Sequence, residues 1–111
     1  MIVTVTLNPS VDRTLSISNL KRGSVNRADL LAVDPGDKGV NVSRAVKAFG
    51  KETHTLLVCG SFGSRWFGDR LSELNISHNI LLAAGITRNN VTLVEGDGTV
   101  TKINEIGRAH V

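Results

Sequence analysis

From residue 39 to residue 74 the chain runs helix-spaced, then continuously apolar, then helix-spaced again, a rhythm that restricts it to parallel α/β architectures. Val42, Ala45, Val46 and Phe49 recur at helical spacing, and Gly50 supplies a stop, which predicts a helix over 39–49. Thr55-Leu56-Leu57-Val58-Cys59 reads as a buried strand, and Phe67, Leu71 and Leu74 share one face of a second helix over 64–74. Upstream, residues 2–7 alternate apolar residues with threonine as a strand does. Asn8-Pro9 ends that run because proline cannot extend a ladder. Strand, helix, strand, helix implies βαβ units with right-handed crossovers.

Two regions depart from this rhythm. Leu15–Ser18 and Arg27–Ala32 are strand candidates separated by a polar turn containing Gly23. Val91–Val94 and Thr99–Ile103, joined by Glu95-Gly96-Asp97-Gly98, predict a hairpin, since Asp-Gly is a strong turn signal. No internal repeat, low-complexity tract or linker divides the chain.

Composition excludes several classes of function. Apolar residues make up 41% and charged residues 21%, close to the globular average. No run of about eighteen apolar residues is present to span a membrane, and the first residues carry no basic segment of a secretory signal. Hence the expectation is a cytoplasmic protein with no membrane partner. A net charge of +3 invites a nucleic-acid reading, but the thirteen basic residues are interspersed with ten acidic ones and aromatics are 4%. Only Lys21-Arg22, with Arg27 nearby, approaches a cluster, so no nucleic-acid partner is expected. The single cysteine, Cys59, reads as a small core residue. His54, His78 and His110 share no metal-ligand spacing, so no metal site is expected. Trp66 and Phe67 read as packing residues.

Three short blocks carry the chemistry. They are Asn8-Pro9-Ser10-Val11-Asp12, then Gly36-Asp37-Lys38-Gly39-Val40-Asn41, then Thr87-Arg88-Asn89-Asn90. Asp12 can accept hydrogen bonds from sugar hydroxyls, and Asn41 can both donate and accept; Lys38 and Arg88 offer only donors and positive charge, which suits a phosphate. Gly36 and Gly39 would let the backbone approach a ligand where a helix begins. Taken alone, Asp12 could equally cap a turn after Pro9, and Asn41 and Ser43 could be routine first-turn helix residues.

In their order and spacing these blocks, with Met1–Leu15, Gly23-Ser24-Val25-Asn26-Arg27 and Ile103-Asn104-Glu105, resemble the N-terminal part of ribokinase-like sugar kinases of the phosphofructokinase B family. The resemblance covers residues 1 to about 105. It implies an α/β fold: parallel βαβ units plus strands near 14–32 and 91–104 that form a lid over the sugar and often carry a dimer contact. It implies substrate binding by Asp12, Lys38, Gly39, Asn41, Arg88 and Asn90, with ATP and Mg2+ as cofactors of the full-length family. It also implies that the catalytic base, anion hole and nucleotide pocket lie in a Gly-Ala-Gly-Asp region beyond this chain, so the chain alone is expected to be inactive and to bind neither cofactor well. The partner implied is a sugar phosphate, fructose 1-phosphate first, with tagatose 6-phosphate as the sibling substrate. A non-enzymatic protein that binds sugar phosphate or a kinase subunit through its lid strands is the alternative from a different class. A dinucleotide-binding module is disfavoured, because Gly60-Ser61-Phe62-Gly63 lacks a full Gly-x-Gly-x-x-Gly.

Two departures from the family pattern stand out. Asp37 occupies a position where the family usually has glycine; its carboxylate could pair with Lys38 or point away. Residues 106–111, Ile-Gly-Arg-Ala-His-Val, are what a common short-read sequencing adapter encodes as ATC GGA AGA GCA CAC GTC, so they are expected to be a non-native tail.

Overall fold

The computed structural model describes residues 1–106. The expected tail therefore lies, apart from an exposed Ile106, outside the described residues. In chain order the elements are β1 (Ile2–Thr6), β2 (Ser10–Ile17), β3 (Asp29–Gly36), α1 (Lys38–Ala48), β4 (Thr53–Phe62), α2 (Ser64–Glu73), β5 (Ser77–Ile86), β6 (Arg88–Glu95) and β7 (Val100–Asn104). They form two sheets. One has the order β1-β4-β5 with every pair parallel; the other has the order β3-β2-β6-β7, in which β2 pairs parallel with β6 and the outer pairs are antiparallel. The α/β class expected from the alternation is the one observed.

The core lies between the parallel sheet and its two helices. Leu57 and Cys59 of β4 meet Val40 of α1, Phe67 and Leu71 of α2, and Ile76 just beyond it. Trp66 packs edge-on against Phe67, ring centroids 5.5 Å apart at 84°, which fits the packing role expected of both. Cys59 is fully buried, and that burial pushes its thiol up to about 11, so it stays a neutral core group. The opposite face of the sheet presents Val3, Val5, Leu56 and Leu81 to solvent, although parallel sheets ordinarily have both faces covered.

The apolar stripe expected on α1 does not face the sheet. Val42 and Phe49 are exposed, and the helix buries Val40 and Ser43 instead. The reason lies in the strands beneath it, which turn hydroxyls upward. Ser43 Oγ lies 2.7 Å from Thr4 Oγ1 and 2.8 Å from Thr53 Oγ1, Thr4 Oγ1 lies 2.9 Å from Thr55 Oγ1, and Thr53 donates to the Ile2 carbonyl. A buried serine with two hydroxyl partners therefore takes the place of an aliphatic contact. Ser43→Ala should cost about 0.5–1.5 kcal/mol, because Thr4 and Thr53 each lose one contact but keep another, to Thr55 and to the Ile2 carbonyl. Urea unfolding should show it as a lower midpoint at unchanged slope.

Pro9 ends β1 as expected, yet β2 begins at the very next residue. Ser10, Val11 and Asp12 are thus strand residues, and the turn-cap alternative for Asp12 does not apply. Likewise β3 runs on to Gly36, which brings the Gly36–Asn41 block directly from strand into helix. The hairpin forms as expected. Glu95 N–H donates to the Thr99 carbonyl, Gly98 sits at φ 90, and the Thr99 N–H donates to the Asp97 carboxylate.

Candidate functional site

The parallel pairing of β2 with β6 brings the first and third sequence blocks together. Its register sets Ser10 opposite Arg88 and Asp12 opposite Asn90. Extended across the sheet, the same row reads Asp34, Asp12, Asn90, Asn104, and the row two residues along reads Ala32, Thr14, Thr92, Lys102. Residues two apart share a strand face. A polar cavity of about 330 Å³ follows, lined by Asp12, Thr14, Asn90, Thr92, Lys102 and Asn104, with Asp34 and Arg44 at one side. Asp34 lies 3.7 Å from Arg44 and 3.8 Å from Arg70, which ties this sheet to both helices.

Asp12 is held rather than loose. Its Oδ1 accepts from Ser10 Oγ at 2.7 Å and from Asn90 Nδ2 at 3.4 Å. A carboxylate has more acceptor positions than these two donors use, so capacity remains for sugar hydroxyls. Gly36 stands opposite Ser10, and a Cβ there would collide with the Asp12 carboxylate. Gly39 likewise admits protein: its Cβ would strike Thr6 Oγ1 and come within 3.1 Å of the Val5 carbonyl oxygen. Both glycines, read from sequence as openings for a ligand, therefore also serve close internal packing.

Arg88 is largely buried, and four contacts hold its guanidinium. Nε and Nη2 donate to the Asn8 carbonyl at 3.3 and 3.2 Å, Nη1 donates to Asn90 Oδ1 at 3.2 Å, and Nη2 lies 3.4 Å from Asp37 Oδ1. The end of β4 fixes its position. Gly60 has no room for a Cβ against the backbone of Gly85, Ile86 and Thr87, and Thr87 N–H donates to the Phe62 carbonyl. Arg88 follows directly from that anchored turn. The Gly60–Gly63 segment thus has a packing role, with Gly63 at φ 98 leading into α2.

Asp37 pairs with Arg88, not with Lys38 as one expectation had it. Its backbone is unusual: φ 95 and ψ 165 fall in a region open almost only to glycine, at a cost of about 1–3 kcal/mol. It stands at the N-cap of α1 but makes no side-chain capping bond. Lys38 and Asn41 occupy the first turn of α1 with exposed side chains. Neither makes a side-chain hydrogen bond or ion pair among the described residues, and neither lines the polar cavity.

The structure thus gathers Asp12, Arg88 and Asn90, whereas Lys38, Gly39 and Asn41 are linked to them only through Asp37, the residue before Lys38, which pairs with Arg88. Sequence reading missed Thr14, Asp34, Arg44, Thr92 and Lys102 as cavity residues and used Asn104 only as part of a motif. The signal was available: Asp12/Thr14, Asn90/Thr92 and Lys102/Asn104 each follow the two-residue period of a strand face. Among the described residues no three His, Cys, Asp or Glu side chains gather as a metal site. No helix of the described chain is long and apolar enough to cross a membrane.

No family model matches the chain. Over 114 residues it is 35% identical to a 1-phosphofructokinase of Xanthomonas campestris, covering 98% of this chain and 36% of that protein. It is 38% identical over 99 residues to a 1-phosphofructokinase of Bacillus subtilis, covering 89% and 33%. A candidate phosphofructokinase of Staphylococcus aureus superimposes with a TM-score of 0.84 at 36% identity, over 96% of this chain and 34% of that one. Phosphofructokinase-2 of Escherichia coli, crystallised with substrates and products, superimposes with a TM-score of 0.90 over 99% of this chain and 36% of that one; at 22% identity it speaks for the fold alone. The chain spans about a third of the length of the curated relatives it matches. Sequence and fold together match it to the N-terminal third of ribokinase-like kinases of the phosphofructokinase B type.

Proposed function

We propose that this chain supplies the sugar-phosphate side of a phosphofructokinase site, with fructose 1-phosphate as the acceptor and tagatose 6-phosphate as the sibling substrate. The observation that carries this reading is the hydrogen-bonded set Asp12–Asn90–Arg88: Asp12 and Asn90 line the polar cavity, and Arg88, outside its lining, donates to Asn90 from the start of β6. Asp12 accepts hydrogen bonds from sugar hydroxyls, and Asn90 orients both Asp12 and Arg88 by bonding each. Arg88 and Lys38 supply positive charge to the phosphate already on the sugar. Asn41, exposed on the first turn of α1, adds a donor and acceptor for a further hydroxyl.

Phosphoryl transfer from ATP, aided by magnesium and positioning, is proposed for the whole protein rather than for these residues. The described residues do not themselves build a metal site. The four-stranded sheet would act as the lid over the sugar and as the dimer contact of the whole protein, and a cytoplasmic location accords with such metabolism. Kinase activity is not expected of residues 1–105 alone.

Arg88→Ala in the full-length protein should raise the dissociation constant for fructose 1-phosphate by at least about tenfold and leave that for fructose nearly unchanged, since only one ligand carries the phosphate. Calorimetric titration of both ligands separates the cases. Equal losses would make Arg88 a clamp on Asn8 rather than a phosphate ligand.

A further inference from the structure

The Asp37 backbone is held at φ 95 and ψ 165, where a side chain is strained, and nothing in local folding accounts for an aspartate there. It is the N-cap residue of α1 but its side chain makes no capping bond, it lies outside the β-strands, and its Cβ gains it no place in the hydrophobic core. The carboxylate is spent on one partner, Arg88 Nη2 at 3.4 Å. Three further donors of that guanidinium bond Asn8 and Asn90, and one Nη1 N–H lies outside these contacts. Strain retained at a site points to a role in that site.

We infer that Asp37 is a specificity-determining residue: it is the resident counter-anion of Arg88, and an incoming phosphate must displace it. The inference rests on the reading of Arg88 as the phosphate ligand. Three of the four contacts around the Arg88 guanidinium are to neutral acceptors, and Asp37 contributes the only anion among the described residues within ion-pair distance. An unphosphorylated sugar does not need to break that pair. A sugar phosphate does, because two anions facing one half-buried guanidinium repel each other. Asp37 therefore lowers affinity for the phosphorylated acceptor selectively and makes the site discriminate by how well the ligand's anion competes.

The test uses the full-length protein with Asp37→Asn, Asp37→Gly, Arg88→Ala and the Asp37→Asn/Arg88→Ala double variant, titrated with fructose 1-phosphate and with fructose. Asparagine keeps the size and the backbone strain, so it removes charge alone, whereas glycine also removes the strain. Both Asp37 variants should tighten fructose 1-phosphate by about fivefold, with fructose unchanged, and the Asp37→Asn gain should vanish in the Arg88→Ala background. If Arg88→Ala weakens fructose 1-phosphate but Asp37→Asn does not tighten it, the phosphate reading stands and the counter-anion role is overturned. If Arg88→Ala leaves fructose 1-phosphate untouched, the phosphate reading itself fails and takes this inference with it. A gain from Asp37→Asn that persists without Arg88 also overturns it, since the carboxylate would then act on another group.

Discussion

Phe67→Ala should destabilise the fold by about 3–5 kcal/mol, a large part of the stability a small domain has to lose. Phe67 is fully buried in α2 and touches the cluster built from β4, α1 and the residues after α2. Truncation would leave a void under Trp66, whose ring stands edge-on to it. With one sheet face already bare, little surrounding structure is available to collapse into that void. Urea or thermal unfolding should show the shift, and a change under about 1 kcal/mol would mean that the α2 interface is loosely packed. Phe67→Leu should recover most of the loss, because it restores much of the buried apolar volume.

Asp12→Ala should weaken transition-state binding in the full-length protein by at least about tenfold, from loss of charge-assisted hydrogen bonds worth roughly 1.5–3 kcal/mol each. The effect should fall on kcat/KM for fructose 1-phosphate, with a smaller loss of unfolding stability. Asp12 is only partly buried, but its removal takes the partner of the fully buried Ser10 hydroxyl, at a cost of about 1–3 kcal/mol. An unaltered kcat/KM would show that Asp12 merely organises β2. The Asp12→Asn variant sharpens the reading, since it keeps the size and the Asn90 contact while losing the charge.

Most of the frame could be read from local pattern because local physics decides it. The alternation in residues 2–7, the apolar run ending at Cys59, the α2 face of Phe67 and Leu71, and the Asp97-Gly98 turn each carry their own signal. β5 went unread although Ile80-Leu81-Leu82-Ala83-Ala84 is an apolar run like that of β4; Ser77-His78-Asn79 opens it with polar residues, and pairing along β4 sets that part of the strand. The α1 stripe misled for a related reason. Which face of a helix is buried depends on what lies beneath, and here Thr4, Thr53 and Thr55 favour Ser43 over Val42.

The candidate site was legible by residue type and not by arrangement. Asp12 and Asn90 are separated by 78 residues, and no local spacing announces the parallel register that makes them neighbours. Residue type alone grouped Lys38 with Arg88 as phosphate ligands. The structure instead sets Asp37 against Arg88, through a backbone conformation that the sequence shows only as an aspartate in place of an expected glycine.

The central claim is that the Asp12–Asn90–Arg88 set receives a phosphorylated ketohexose. Equilibrium titration of fructose 1-phosphate into the full-length protein, in parallel with its Asp12→Ala/Arg88→Ala double variant, tests it most directly. The account predicts saturable binding to the wild-type protein and a loss of at least about tenfold in the double variant, short of the simple product of the single losses because Asn90 couples the two side chains. Undiminished binding to a folded double variant would contradict it, because the sugar phosphate would then be held somewhere other than this set.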